Sequence, residues 1–164
     1  MSRATLRDRP RPSFDDPLGS GLPDVLQFMR LLWAIVHALQ KTSKRMNAEI
    51  GVTGPQRLVL RVVGLFPGIA AGRLAAVLHL HPSTLTGILQ RLVGQRLLRR
   101  SADPRDRRRA VLLLTARGAR VNAANQRTVE AAVRRALAAV PARDRAAARR
   151  ALTRLAGQLE HPGT

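Results

Sequence analysis

Apolar residues recur at helical spacing from Pro23 to about Glu49. Val25, Leu26, Phe28, Met29, Leu32, Trp33, Val36 and Leu39 follow an i, i+3, i+4 rhythm, and Leu31 and Ile35 add apolar positions off that stripe. The pattern predicts one long helix, apolar around most of its girth, with one side for its own domain and another for a partner subunit. Pro23 suits a first helical position, and Asp24 complements the positive end of the helix dipole. Gly51 ends the run. Thr53 with Gln56 three residues on is a capping-box signature, and Leu58, Val62 and Leu65 then recur on one face until Pro67-Gly68.

A short helix is expected from Ala70 to His79 with Leu74, Ala75 and Leu78 inward, and another from Pro82 to about Val93. Two short helices with a tight connection suggest a helix-turn-helix. The period changes at Leu97. Leu97–Ser101 and Arg108–Leu114 read as strands around the turn signal Asp103-Pro104, which makes a β-hairpin wing directly after the helix-turn-helix. Thr115 is an N-cap for a long Ala/Val/Arg helix reaching about Ala139. Pro141 interrupts, and a last helix spans Arg143–Gln158. There is no internal repeat.

Composition sharpens the picture. The chain has 164 residues, 29 Lys+Arg against 10 Asp+Glu, and a formal charge of +19. Such a charge repels itself unless a polyanion neutralises it, so nucleic acid or an anionic membrane surface is the expected partner. The basic residues are spread over the whole chain, not gathered on one amphipathic face, which argues against the membrane surface. No apolar run approaches a membrane span, and no apolar stretch follows Arg3, Arg7, Arg9 and Arg11 within a signal peptide's reach. A cytoplasmic protein is therefore expected, with residues 1–21 as a flexible basic arm. The absence of Cys excludes disulfides, thiolate metal sites and a cysteine nucleophile.

Residues 51–118 resemble the MarR family of winged-helix transcriptional regulators. The resemblance is carried by Gly51-Val52-Thr53-Gly54-Pro55-Gln56, Leu74-Ala75-Ala76-Val77-Leu78, and Pro82-Ser83-Thr84-Leu85-Thr86 with Leu89, Arg91 and Leu92. It continues through Leu97-Leu98-Arg99-Arg100 and Asp103-Pro104-Arg105-Asp106-Arg107-Arg108. It ends in Leu114-Thr115-Ala116-Arg117-Gly118, where the Leu-Thr-x-x-Gly pattern is the most specific part. The fold class is then mainly α: a winged helix-turn-helix with a small β-hairpin wing, plus long N- and C-terminal dimerisation helices. The resemblance implies dimerisation through residues 22–50 and 116–164, with the DNA-binding domain at 51–115. It also implies a homodimeric repressor of a pseudo-palindromic double-stranded operator, its two recognition helices about 34 Å apart, relieved by a small aromatic or anionic effector. Two positions depart from the family. Gly87 stands where Arg is frequent, and Arg96 stands where Gly usually ends the recognition helix. Either that helix ends early at Gly94, or Arg96 is left-handed.

In the recognition helix Leu85, Ile88, Leu89 and Leu92 have the spacing of a buried face. Ser83, Thr84, Thr86, Gly87, Gln90 and Arg91 are left outside as candidate DNA contacts, the hydroxyls for phosphates and Gln90 for an adenine edge. Arg105, Arg107 and Arg108 suit a wing tip in a narrow minor groove, while Arg57, Arg99 and Arg100 are general phosphate candidates. For an effector, Phe28, Trp33, His37 and Phe66 lie on the two helices that would line the family's cleft. His79 and His81 alone do not make a metal site. No nucleophile–base–acid constellation appears, so neither an enzyme nor a cofactor is expected. Two rival readings use the same charge: a non-specific nucleoid or architectural DNA-binding protein, and a winged-helix RNA-binding module.

Overall fold

The computed structural model describes residues 17–103 and 110–160. The chain divides into two compact units, residues 1–39 and 40–164. The first holds α1 (Pro17–Ser20) and the beginning of α2 (Asp24–Ile50), which ends in the second. The last part of the expected arm is thus a helical turn. Residues 1–16 lie outside the described residues. Gln27 fastens the corner between the two helices, its Nε2 donating to the carbonyls of Leu22 at 2.7 Å and Ser20 at 3.2 Å. The apolar girth of α2 in this unit stays open, with Val25, Phe28, Leu31, Ile35 and Val36 exposed and Trp33 71% exposed. No helix among the described residues is long and apolar enough to cross a membrane.

The second unit is built on α3 (Gly54–Leu65), β1 (Ile69–Ala70), α4 (Ala71–Leu78), α5 (Pro82–Gly94), β2 (Leu98–Ala102), β3 (Ala110–Leu114) and α6 (Ala116–Ala123). Thr53 and Gln56 form the capping box that their spacing predicts, the Thr53 N–H donating to Gln56 Oε1 at 2.9 Å. Val59, Leu60 and Val63 of α3 meet Leu74 of α4, Leu85, Leu89 and Leu92 of α5, and Leu98 and Leu112 of the sheet in one buried cluster. The strands pair antiparallel in the order β1-β3-β2, with Leu98 opposite Leu114 and Ile69 opposite Leu112. The wing strands fall close to their expected places. The first strand does not follow from the sequence pattern, which starts a helix at Ala70. Two residues are too few to display a period of two, and pairing with β3 is what makes Ile69–Ala70 a strand.

The single helix expected from Thr115 to Ala139 is instead two, α6 and α7 (Val129–Ala138), followed by α8 (Ala142–Glu160). The break has a physical cause. Arg57, only 1% exposed, reaches from α3 and donates through Nη1 to the Val121 carbonyl and through Nη2 to the Ala124 carbonyl. Arg61 adds a bond from Nη1 to the Asn122 carbonyl at 3.1 Å. These carbonyls have partners other than a continuing helix, and Arg127 turns left-handed at φ 55°. Buried Thr128 then caps α7, its side chain accepting from the Ala131 N–H.

Glu130 on α7 closes the corner, its Oε1 2.7 Å from Arg57 Nε. Burial raises its pKa. Hydrogen bonds from its own backbone, from Arg57 and from Thr128, together with the Arg57 charge, outweigh burial and hold the carboxyl below its ordinary value. Arg61 Nε lies 3.7 Å from the same Glu130 oxygen, and a further ion pair, Arg127 to Glu49 at 3.4 Å, joins the corner to the end of α2. Beyond it α8 buries no residue, and Val133, Leu137 and Leu152 remain exposed on α7 and α8.

Candidate nucleic-acid interface

The helix-turn-helix is α4, the residues 79–81, and α5. At the end of α4 the Leu80 N–H donates to the Ala75 carbonyl at 3.0 Å and the His79 N–H to the Ala76 carbonyl at 3.3 Å. This is a full Schellman closure with His79 at φ 49° in the position glycine usually takes. The chain reverses at once, His81 becomes the N-cap of α5, and Pro82 takes the first turn. The His81 ring accepts from the Ser83 N–H at 3.4 Å, and its Nδ1 lies 2.7 Å from Ser83 Oγ.

Leu85, Ile88, Leu89 and Leu92 face the core as their spacing predicts. Ser83, Thr84, Thr86, Gln90 and Arg91 are exposed, and Gly87 is half-buried with open space where a side chain would stand. Thr86 Oγ1 donates back to the Pro82 carbonyl at 2.8 Å, so its hydroxyl proton is already used. α5 ends in a second Schellman closure, Leu97 N–H to Leu92 O and Arg96 N–H to Val93 O, both 2.9 Å. Both alternatives left by the sequence therefore occur together: the helix stops at Gly94, and Arg96 is left-handed at φ 56°.

The start of the wing is locked to α6. Thr115 Oγ1 donates to the Arg96 carbonyl at 2.6 Å and accepts from the Gly118 N–H at 3.0 Å, while the Thr115 N–H donates to the Leu97 carbonyl at 3.1 Å. A Cβ on Gly118 would stand 1.9 Å from that Leu97 oxygen, so only glycine permits the approach. This is the physical content of the Leu-Thr-x-x-Gly pattern.

Charge follows the same geometry. Residues 50–102 contain seven arginines and no Asp or Glu. Arg73, Arg91, Arg96, Arg99 and Arg100 are exposed. A segment without carboxylates, carrying exposed guanidinium groups beside a helix with a polar outer face, suits a phosphate backbone.

A family model described as the MarR family matches residues 50–109. Residues 50–109 thus carry a MarR-family domain. The chain is 32% identical over 120 residues to the HTH-type transcriptional regulator TtmR of Methylorubrum extorquens, covering 72% of this chain and 62% of that one. It is 34% identical over 85 residues to the transcriptional regulator HosA of Escherichia coli, covering 52% and 63%. The alignments thus span under two thirds of either relative. The PcaV transcriptional regulator of Streptomyces coelicolor, solved in complex with its natural ligand, superposes with a TM-score of 0.67 at 26% identity, covering 84% of this chain and 96% of that one.

Within this MarR-family domain, the sequence-derived contacts divide. The candidates on α5 stand together on one open face. Arg105, Arg107 and Arg108 lie outside the described residues. Arg57 is not a phosphate contact, because its guanidinium is buried in the α6–α7 corner. Arg73 and Arg96 did not emerge from motif reading, but the run of 53 residues without a carboxylate was the available signal for both.

The effector candidates do not fall in one unit. Phe28, Trp33 and His37 belong to the first, and Phe66 to the second. On α2, positions 28 and 33 differ by about 140° around the axis, so Phe28 and Trp33 face different ways. Phe66 lines a shallow apolar cavity of about 420 Å³ with Pro67, Ile69, Arg73 and Val77.

Proposed function

We propose that the protein binds double-stranded DNA as a homodimer and regulates transcription, as a repressor of a pseudo-palindromic operator. The observation that carries this reading is α5: its apolar side is consumed by the core, and Ser83, Thr84, Thr86, Gln90 and Arg91 form an open polar face in an acid-free region. The Ser83 and Thr84 hydroxyls and Arg91 meet phosphates, Thr86 lines the contact face with its hydroxyl proton held by Pro82, Gln90 reads a base edge, Gly87 lets the backbone approach the groove, and Arg105, Arg107 and Arg108 enter the adjacent minor groove. Residues 22–50 and 116–164 form the dimer body. Exposed Val25, Phe28 and Trp33 on α2, and Val133, Leu137 and Leu152 on α7 and α8, support that division, since such apolar surface is covered in a stable assembly. A small aromatic or anionic effector relieves binding. The ligand held by PcaV supports an effector for this chain.

The test is fluorescence anisotropy with the DNA upstream of the protein's own gene, at about 150 mM salt so that phosphate attraction alone is screened. A preference over shuffled duplex of about 10³-fold or more is expected of a site-specific regulator. Equal binding to both overturns an operator in that DNA and favours the architectural reading, to which the charge of +19 also lends itself. Arg107→Ala with Arg108→Ala is expected to weaken binding and flatten its salt slope, and an unchanged slope removes the wing from the interface.

A further inference from the structure

We propose that the outer side of α8 is a second DNA-binding surface, on which Arg150 and Arg154, with Arg143, hold a duplex segment other than the one read by α5. The inference goes beyond the reading above, in which residues 116–164 serve only to pair two copies.

Charge is the first observation. Residues 116–164 hold ten arginines, no lysine and three acidic side chains, Glu130, Asp144 and Glu160. Glu130 is spent on Arg57, and Asp144 lies 3.4 Å from Arg143 Nε. Pairing two copies through this segment doubles its charge in one place, and a polyanion relieves the repulsion.

The two-sidedness of α8 is the second. At about 100° per residue, Arg143, Arg150 and Arg154 fall within about 40° of arc and span about 16 Å along the axis. Leu152, Leu155 and Leu159 gather within about 60° on the roughly opposite side. The groove that α8 forms with α7 and His79 is lined by Arg145, Ala148, Arg149, Leu152 and Ala156, and none of the three outer arginines lines it. All three are exposed, Arg143 by 88%. Among the described residues, the Arg150 and Arg154 side chains make no hydrogen bond or ion pair.

These features choose the occupant. A partner helix needs large apolar side chains to pack on, and the residues flanking the arginines on that side are Ala146, Ala147 and Gly157. A second copy of the same stripe would meet it with like charge. A row of guanidinium groups, permanently charged and planar, suits successive phosphates along a duplex. That duplex is not the one on α5. α8 turns its groove side to His79 in the helix-turn-helix, so the stripe faces away from it. The stripe thus joins a second segment to the first.

The experiment loads the full chain on bead-tethered duplex from the protein's own upstream region, at about 150 mM salt, and then adds a labelled duplex of shuffled sequence. Wild type is expected to capture the labelled duplex. Arg150→Gln with Arg154→Gln is expected to stay on the bead and capture about tenfold less, with a dependence on log salt shallower by about two. Gln has nearly the helix propensity of Arg, so α8 is kept. Arg145→Gln with Arg149→Gln removes the same charge from the groove side and is expected to capture like wild type. Equal loss in both pairs overturns the stripe in favour of total charge. Full capture by the Arg150 and Arg154 pair, or none by bead-held wild type, overturns the second surface and leaves the α5 reading standing. Phosphatidylglycerol vesicles test the other polyanion: if they retain wild type but not the Arg150 and Arg154 pair, and no labelled duplex is captured, the stripe belongs to a lipid surface and the duplex is overturned. Wild type that does not stay on the bead overturns the DNA reading and this inference with it.

Discussion

The second unit contains two regions of opposite character. From α3 to α6, apolar side chains close on one another: Val59, Val63, Leu74, Leu89, Leu92 and Leu112 are buried, and even an arginine is enclosed and satisfied. In α7 and α8 comparable residues stay open, and Leu152 is 50% exposed. Both regions are helical and rich in Ala, Leu and Arg, so composition does not separate them. What separates them is whether the apolar stripe finds a complementary surface within the same chain. The winged-helix region does and is fixed by its own packing, while α7 and α8 present an apolar surface that the packing of this chain leaves open. The α6–α7 corner, where Arg57, Arg61 and Glu130 meet, is the joint between the two.

The comparison is broken most severely at that joint. Arg57→Met removes the buried cation of the corner, takes a donor from the Val121 and Ala124 carbonyls, and leaves half-buried Glu130 with only Arg61, Thr128 and its own backbone as partners. It is expected to destabilise the protein by about 3–5 kcal/mol, read as a lower denaturant midpoint. Gly118→Ala drives a Cβ into the Leu97 carbonyl and is expected to cost about 3 kcal/mol by the same measurement, with the strand-to-helix lock at Thr115 lost. If Gly118→Ala melts like wild type, the close approach does not fix the winged-helix region.

Acid sharpens the role of Glu130. Its folded pKa is depressed, so the unfolded chain takes up the proton more readily. The stabilisation is present above the ordinary carboxylate value of 4.5 and is lost as pH falls through the lower folded value. The stability difference between wild type and Glu130→Gln is expected to be about 2 kcal/mol near neutrality and to shrink only below about pH 4.5. A difference that is constant down to pH 3 would mean that packing, not charge, holds the corner.

Arg96→Gly is expected to act in the opposite direction, raising stability by about 1 kcal/mol through relief of a left-handed side-chain residue. The smallest effect on the packed region is expected at α8. Leu152→Glu should leave hydrogen-exchange protection in α3 and α5 within about 0.5 kcal/mol of wild type while weakening self-association in sedimentation. Loss of protection throughout would show that the winged-helix region does not stand by its own packing.

Much of this molecule was legible because local chemistry agreed with the global fold. Thr53 and Gln56 make the capping box that their spacing demands, Pro82 opens α5, and Leu85, Ile88, Leu89 and Leu92 fall on the buried face. The polar face of α5 was legible for the same reason, since burying one side of a helix defines the other. Arg57 was read as a surface cation because a charged side chain next to a capping box gives no local sign of burial. Its partners, Val121, Ala124 and Glu130, lie more than sixty residues away.

The sequence by itself thus determined the periodicities: the long α2, the helix-turn-helix, the paired wing strands, the caps, and a charge that asks for a polyanion. These depend on interactions within a few residues or on totals over the chain. Only the tertiary structure decided that Ile69–Ala70 is a strand, that the helix after Thr115 breaks, and that Arg57 is enclosed. Each of these is settled by a partner that hydrophobic spacing does not encode: a strand needs a neighbour, a broken helix needs other donors for its carbonyls, and an enclosed cation needs acceptors brought from far along the chain.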